Sequence, residues 1–179
     1  MLREFAAYFD DSGHPDQDLV VVAGFIAVKE QWLKLETEWR DTLDSAGLGR
    51  STVFHMTDFA AGAEKSPFCG WDERRKHRLL DKLVHIIAVR TRKHISETVF
   101  MRDYRLVNEK YALEECYGAP YAIAGRNITM RLKSWLREQG SDVRMSVSFE
   151  DGTKHKGDFI DACKRDEFSF RDIGHASRK

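Results

Sequence analysis

The sequence has no excess of charge of either sign. Lys and Arg total 29 residues and Asp and Glu total 29, so the formal net charge is zero. A protein that binds nucleic acid through its overall charge is usually basic, so any such role here must rest on local patches. Charged residues make up 32% of the chain and hydrophobic residues 42%, which is typical of a globular protein and not of a disordered one.

The sequence also lacks the signals of membranes and secretion. No apolar run approaches the roughly 18 residues that a membrane-spanning helix needs, and the N-terminus enters a strand pattern without a signal-peptide pattern. The three cysteines, Cys69, Cys116 and Cys163, are widely spaced and form no CxxC pair. This usage predicts structural thiols in a reducing compartment, without disulfides or a zinc knuckle. The chain is therefore predicted to be cytoplasmic, with no membrane partner.

Several nucleotide-binding motifs and organising features are absent. There is no GxxxxGK[ST] sequence and no GxGxxG after the first strand, which argues against a P-loop hydrolase and a dinucleotide-binding unit. No internal repeat, low-complexity tract or Pro/Ser-rich linker divides the chain. A length of 179 residues fits one domain with a sizeable core, so a single domain over residues 1–179 is predicted.

The most informative stretch that is present covers residues 8–13, where two acids follow a strand pattern. Residues 4–9 read as a short strand, and the turn formers of residues 12–16 predict that it stops there. Asp10 would share one strand face with Ala6 and Tyr8, because side chains alternate along a strand. A strand-held carboxylate suits Mg²⁺ or Mn²⁺. Alternatively, Asp10 and Asp11 only mark a turn, where Asp is common.

A second acidic strand end occurs late in the chain. Apolar and polar residues alternate over 143–150, and the strand pattern finishes in Glu150, Asp151 and a glycine. Carboxylates that converge from separate strands repel one another unless a divalent cation neutralises them. Two such ions about 4 Å apart are a standard arrangement for in-line attack on a phosphodiester.

The remaining pattern predicts an α/β protein with helices covering a mixed sheet. The apolar run of residues 19–28 predicts a strand buried on both faces, paired with the first strand in an antiparallel hairpin. Gly24 within it predicts a bulge or a close backbone approach. Another strand is predicted over 94–101, with residues 102–116 irregular or helical. The predicted helices cover residues 30–46, 72–90, 120–139 and 157–165.

Two further groups of residues are candidates for function. Residues 52–58 predict a short strand that carries His55 and ends at Asp58. His55 is either an interior histidine or an imidazole presented to a phosphate, metal or water, and Asp58 either caps a turn or completes a metal site. The predicted helix over 72–90 carries the densest positive charge of the chain, which is either a solvated face or a phosphate-contacting surface. The candidate nucleic-acid contacts on it are Arg74, Arg75, Lys76 and Arg78.

Three of these stretches resemble motifs of the domain-of-unknown-function 3800 family. Members of that family begin with a strand ending in Asp-Glu-Ser-Gly, to which residues 10–13 (Asp-Asp-Ser-Gly) are similar. The family's histidine-containing strand is similar to residues 54–59, and its late strand ending in an acid and glycine is similar to residues 149–152. The resemblance covers nearly the whole chain and depends on the order and spacing of short motifs.

The family resembles the ribonuclease H-like fold, whose members bind magnesium or manganese through strand-borne acids and cut or transfer nucleic-acid phosphodiesters. The resemblance implies Asp10 as the principal metal ligand, Glu150 as a second, and His55 or Asp58 as supporting residues. Asp11 stands where the family usually has Glu, so its side chain is shorter. The implied catalytic group is Asp10, Glu150 and His55, and the implied metal ligands are Asp10, Glu150, Asp58 and Asp11.

The family normally continues into a segment resembling Gln-x-Ala-Asp, which supplies another acid. This sequence reaches Lys179 about where that segment is expected, so either the chain is truncated or the protein lacks that acid. The leading hypothesis is a metal-dependent nuclease or phosphotransferase that uses Mg²⁺ or Mn²⁺ on a nucleic-acid substrate. The alternative is an inactive module that holds nucleic acid or a protein partner, and a third hypothesis is an interaction protein that forms a homodimer.

Overall fold

The computed structural model describes residues 3–13, 17–140 and 143–149, and the chain divides into two compact units. Unit 1 comprises Met1–Val28 and Lys93–Lys179, and unit 2 comprises Lys29–Arg92. The single domain expected over residues 1–179 stays a prediction. The helices and strands of the described residues, in chain order, are β1 (Arg3–Gly13), β2 (Leu19–Val28), α1 (Lys29–Ser45), α2 (Met56–Ala61), α3 (Glu73–Arg90), β3 (Lys93–Phe100), α4 (Met101–Tyr111), α5 (Leu113–Tyr117), α6 (Pro120–Gln139) and β4 (Val143–Phe149).

Unit 1 is built on a four-stranded mixed sheet with the strand order β3-β2-β1-β4. β1 and β2 form an antiparallel pair, β2 and β3 form a second one, and β1 and β4 run parallel. The predicted hairpin and the predicted α/β class are therefore confirmed. A mixed sheet flanked by helices is compatible with a ribonuclease H-like fold.

The core of unit 1 lies on one face of this sheet, where α6 packs. Phe5, Ala7 and Phe9 alternate along β1 and are at most 3% exposed. The ring of Phe5 meets Trp135 of α6 edge-on, with 5.2 Å between the ring centroids. Pro120 occupies the first turn of α6, where a missing backbone N–H removes no helical hydrogen bond. Burial of each large ring contributes roughly 1.5–3 kcal/mol to stability.

The opposite face of the sheet is only partly covered, which corrects one expectation. β2 was predicted to be buried on both faces, but Leu19, Ala23 and Phe25 are exposed, while Val22 and Ile26 on the α6 face are fully buried. The sequence does not distinguish a strand covered on one face from a strand covered on both, because Val and Phe favour strands in either case. Period-two burial is the rule for a strand in a sheet with one packed face.

Gly24 confirms the predicted close approach between strands. A Cβ atom built on Gly24 would lie 2.1 Å from the carbonyl oxygen of Tyr8 and 2.4 Å from Cδ1 of Phe9. Both distances are far below van der Waals contact, so only a residue without a side chain fits beside β1 at this point.

Unit 2 consists of α1, α2 and α3 around a cluster of aromatic rings. Phe68 is 1% exposed and stands edge-on to Phe59 and Trp71, with ring centroids 5.2 and 5.5 Å apart. Leu43 of α1 and Leu83 of α3 close the cluster. Edge-to-face pairs of this kind add to the burial of the rings themselves.

The strand predicted over residues 52–58 is wrong. His55 is extended but α2 begins at Met56, and Gly62 ends the helix in the left-handed conformation with a φ of 55°. Phe54 and Phe59 both enter the aromatic cluster, with centroids 5.2 Å apart. In a continuous strand these two positions would face opposite sides, so a helical turn is needed to bring both rings to one core.

Unit 2 is further held by polar contacts at the ends of α3. Asp72 caps the helix, since its carboxylate accepts the backbone N–H of Arg75 at 2.6 Å. At the other end, Arg90 donates two hydrogen bonds to the Glu38 carboxylate of α1, one of them from Nε at 2.9 Å. The hydrogen bond from Arg90 lowers the pKa of Glu38 below its ordinary value of 4.5.

No helix within the described ranges is long and apolar enough to cross a membrane. Cys69 and Cys116 are free thiols, and both are exposed. Cys163, the predicted helix over 157–165 and Glu150 lie outside the described residues.

Candidate functional site

Asp10 lies on the sheet of unit 1, on the face opposite α6. β1 runs through both acids and ends at Gly13, four residues beyond the predicted strand over 4–9 and within residues 12–16, where the strand was predicted to stop. Asp10 pairs with Ala23 of β2 in the antiparallel ladder, and both residues are exposed. Its Oδ1 atom accepts the backbone N–H of Asp11 at 2.8 Å. The carboxylate is thus held by a central strand and reachable from outside.

The parallel pairing of β1 with β4 determines what stands beside Asp10. The register pairs Tyr8 with Ser148 and Phe9 with Phe149, and the rings of Phe9 and Phe149 stack with centroids 5.2 Å apart. Parallel strands run in one direction, so the carboxyl-terminal ends of β1 and β4 lie at the same edge of the sheet. Glu150 follows Phe149 in the sequence and lies outside the described residues.

The side chain of Asp11 lies on the face of β1 opposite to that of Asp10. Successive side chains of a strand point to opposite faces, and Asp11 pairs with the buried Val22 on the α6 face. Asp11 is accordingly half-buried, whereas Asp10 is exposed. The two adjacent acids therefore do not share a face of the sheet.

His55 and Asp58 belong to unit 2, where α2 replaces the predicted strand. His55 is the residue before the helix and its carbonyl oxygen accepts the backbone N–H of Phe59 at 3.0 Å. Asp58 lies in the first turn, where its carboxylate is favourable to the helix dipole. The Asp58 carbonyl accepts hydrogen bonds from the Gly62 N–H and the Ser66 hydroxyl, each at 3.0 Å. In the structure both His55 and Asp58 therefore take part in forming the short helix α2.

No group of three His, Cys, Asp or Glu side chains that could hold a metal ion occurs within residues 3–13, 17–140 and 143–149. Asp10 and Asp11 are described in unit 1, and His55 and Asp58 in unit 2. The predicted partner Glu150 is not among the described residues.

The four predicted nucleic-acid contacts on α3 are in different environments. Lys76 is half-buried, pairs with Glu73 at 3.6 Å and has its Nζ 6.0 Å from the ring of Phe59. Arg75 lies over the indole of Trp71, 3.7 Å from the ring centroid, and donates to the Ala46 carbonyl at 2.8 Å. Arg74, Arg75 and Arg78 are exposed, and Lys76 is the half-buried member. Only part of the predicted set is therefore presented outward.

Arg75 and Arg78 line a cavity of about 260 Å³ between α1 and α3, which we call the α1–α3 groove. Lys82 also lines it, although the predicted contacts do not include Lys82. Its four-residue spacing from Arg78 is the signal that would have found it, since residues four apart share a helix face. The polar and aromatic lining residues are Thr42, Ser45, Trp71, Arg75, Arg78 and Lys82.

Comparison of the chain with protein-family models, with curated proteins and with solved structures found no match. The resemblance to the domain-of-unknown-function 3800 family therefore stays a prediction that rests on the motifs in residues 10–13, 54–59 and 149–152.

Proposed function

We propose that this protein is a divalent-metal-dependent nuclease or phosphotransferase that acts on nucleic-acid phosphodiesters. The observation that supports the proposal best is the parallel register of β1 and β4, which pairs Phe9 with Phe149. Asp10 comes directly after the first of these residues, and Glu150 directly after the second. Two acids that follow, in sequence, a pair of facing residues on neighbouring parallel strands would bring oxygen donors to one edge of the sheet.

The donor chemistry fits Mg²⁺ or Mn²⁺. Hard cations take oxygen ligands, and Mg²⁺ in particular is often bound by one or two carboxylates together with waters and substrate phosphates. Asp10 supplies an exposed carboxylate on a central strand, and we assign Glu150 as the second ligand from its place in the sequence. A divalent ion held by these two acids would supply polarisation of a phosphoryl oxygen and neutralisation of developing negative charge.

The role of Asp10 itself is to hold the cation at a fixed point. Its Oδ1 accepts the Asp11 N–H, which orients the carboxylate, and the strand on which it lies is paired on both sides. Ligands on rigid strands are placed more reproducibly than ligands on loops. Asp11 faces away from this point, so we assign it no metal contact. His55 and Asp58 remain proposed supporting residues on the strength of the resemblance alone.

The decisive experiment compares two adjacent acids. Asp10→Asn and Asp11→Asn make the same chemical change on opposite faces of one strand, so each serves as the matched control of the other. We expect Asp10→Asn to lower Mn²⁺-dependent cleavage of labelled RNA or DNA by at least about 100-fold, and Asp11→Asn by less than about tenfold. The unfolding midpoint of each variant, measured in urea, verifies that both remain folded.

The substrates should include single- and double-stranded RNA and DNA, each with Mg²⁺, with Mn²⁺ and with a chelator. The absence of metal-dependent cleavage on all four would refute the proposal, and so would Asp10→Asn with the activity of the original protein. Calorimetric titration with Mn²⁺ is an independent readout, because Asp10→Asn should weaken the binding of Mn²⁺ to the protein even if every tested substrate is cleaved slowly.

A further inference from the structure

The α1–α3 groove combines positive charge with a restricted shape. Three cationic side chains, Arg75, Arg78 and Lys82, line it together with the hydroxyls of Thr42 and Ser45, and no carboxylate is among its lining residues. Its volume is about 260 Å³. Guanidinium, ammonium and hydroxyl groups are the donors that bind phosphate oxygens in proteins.

One of these cations is already held in position. Arg75 donates to the Ala46 carbonyl at 2.8 Å and lies 3.7 Å from the centroid of the Trp71 ring. A guanidinium fixed in this way loses little conformational freedom when it binds an anion. The same contact covers a face of Trp71, so that face is not available for stacking a nucleobase.

The other cations form a row along α3. Arg74, Arg78 and Lys82 follow one another at four-residue intervals and are all exposed; we call them the cationic row. Within the described part of the chain, Arg78 and Lys82 make no ion pair. Like charges four residues apart on a helix repel one another, and that repulsion is relieved when an anion lies along the row.

The spacing of the row favours a polymer over a single anion. Successive cations are separated by about 6 Å along the helix axis, because each residue rises about 1.5 Å. Adjacent phosphates of a nucleic-acid strand have a comparable separation, so one strand can meet several cations in turn. A lone phosphate would use only one of them.

A second cavity adjoins the groove and limits where an anion can extend. It has a volume of about 500 Å³ and shares Thr42, Ser45 and Lys82 with the groove. Its other lining residues include three carboxylates, those of Glu38, Asp41 and Asp81. These carboxylates repel phosphate. A bound strand would therefore follow the Arg74–Arg78–Lys82 direction and leave the acidic cavity empty.

We propose that the α1–α3 groove and the cationic row of unit 2 bind the phosphate backbone of a single-stranded nucleic acid without reading its bases. The donors of the groove contact phosphates, and the face of Trp71 that Arg75 covers cannot stack on a base. The affinity for a strand should therefore depend on the salt concentration and not on the base sequence. The proposal does not depend on cleavage, because binding can be measured without metal.

Binding of a labelled oligothymidylate and of a labelled mixed-sequence strand, followed by fluorescence anisotropy in chelator at several salt concentrations, tests this site. The double variant Arg78→Gln/Lys82→Gln should bind both strands about tenfold more weakly at low salt. Two lost phosphate contacts should also reduce the slope of log affinity against log salt by about 1.4, at about 0.7 per contact for single strands.

The matched control is Lys65→Gln/Arg102→Gln, which removes the same charge from exposed positions that do not line the groove. We expect its affinity to fall less than about twofold and its salt slope to stay unchanged. Equal losses in the two double variants would overturn the proposal, because the effect would then come from net charge. If the groove variant is unfolded in a urea titration, Lys82→Gln alone should still lower the slope by about 0.7.

Two competitors distinguish the source of the phosphate. Inorganic phosphate should displace the strand only at concentrations far above that of the phosphates in a competing oligonucleotide; displacement at equal phosphate concentration would overturn the assignment to a backbone. Vesicles containing phosphatidylserine should bind the original protein and the groove variant equally. Vesicle binding that is lost in the groove variant, with strand binding retained, would overturn it in favour of a lipid headgroup.

Discussion

The two units of the chain bury their apolar side chains in different ways. In unit 1, residues far apart in sequence meet across a sheet, as when Phe9 of β1 stacks on Phe149 of β4. In unit 2, all contributors lie within Lys29–Arg92, and Phe68 contacts rings on both sides of it in the sequence. The core of unit 1 therefore depends on strand register, and that of unit 2 on the volume of a few rings.

The largest effect is expected where a ring is removed from unit 2. Phe68→Ala should lower the free energy of unfolding by about 3–5 kcal/mol, because a 1% exposed ring leaves a cavity among Phe54, Phe59 and Trp71. Hydrogen exchange measured by mass spectrometry should show the loss of protection in α1 and α3. The exposed Val53→Ala is the control and should change stability by less than about 0.5 kcal/mol.

The contrast between the two cores fails if Phe68→Ala increases exchange in β1 and β2 as much as in α1 and α3. Unfolding in urea would then also give one common shift for reporters in both units.

An intermediate effect is expected where the register of unit 1 is disturbed. Gly24→Ala places a methyl group where the Tyr8 carbonyl and the Phe9 ring already lie, so we expect a loss of about 1–3 kcal/mol. Ala23→Ser, at the exposed neighbouring position, controls for a change on the same strand. Urea midpoints measure both. A Gly24→Ala protein as stable as the original would show that register is not the constraint in unit 1.

A smaller effect is expected at the beginning of α3. Asp72→Ala removes the acceptor of the Arg75 N–H and should destabilise unit 2 by about 0.5–2 kcal/mol. Asp72→Asn retains a capping oxygen and should recover most of that loss. Thermal unfolding monitored by circular dichroism can compare the three proteins. Equal losses in both variants would mean that charge, and not the cap, stabilises the helix.

The smallest expected effect is a dependence of the stability of unit 2 on pH. The Arg90 guanidinium lowers the pKa of Glu38 below its ordinary value of 4.5, so the unfolded chain takes up this proton at a higher pH than the folded one. The stability from this pair is present above about pH 4.5 and is lost as the pH falls through the folded-state pKa.

Urea midpoints followed from about pH 6 to pH 3 measure this loss. Glu38→Gln should flatten the curve, whereas Glu64→Gln, which makes the same charge change at an exposed position, should leave its slope as in the original protein. Parallel curves for the original protein and Glu38→Gln would contradict the assignment to this ion pair.

Long periodic segments of the fold could be predicted from the sequence. The alternation over residues 143–149 and the long helical stripes of α1, α3 and α6 each extend over several periods, so local patterns and tertiary structure agree. The six residues of α2 are too few to show a period, and their conformation is decided by rings from elsewhere in unit 2. The exposed face of β2 could not be predicted, because strand propensity does not report which face is covered.

The candidate sites divide in the same way. Alternation along β1 correctly assigned Asp10 to the face of Tyr8, away from Phe9. The strand context expected for His55 and Asp58 was wrong, because it depended on the misassigned α2. On α3, composition indicated a basic surface, but the inward placement of Lys76 and the stacking of Arg75 on Trp71 are tertiary contacts that composition does not contain.

Gly24 also determines where Asp10 stands along the sheet. A slip of β2 against β1 by two residues would keep the same faces buried, but it would bring Val22 or Ile26 to the carbonyl of Tyr8, where no Cβ fits. A two-residue slip of the hairpin is therefore disfavoured, and in the observed register Asp10 lies opposite Ala23. The position of the Asp10 carboxylate along the sheet therefore depends on Gly24 of the neighbouring strand, which carries a hydrogen atom in place of a side chain.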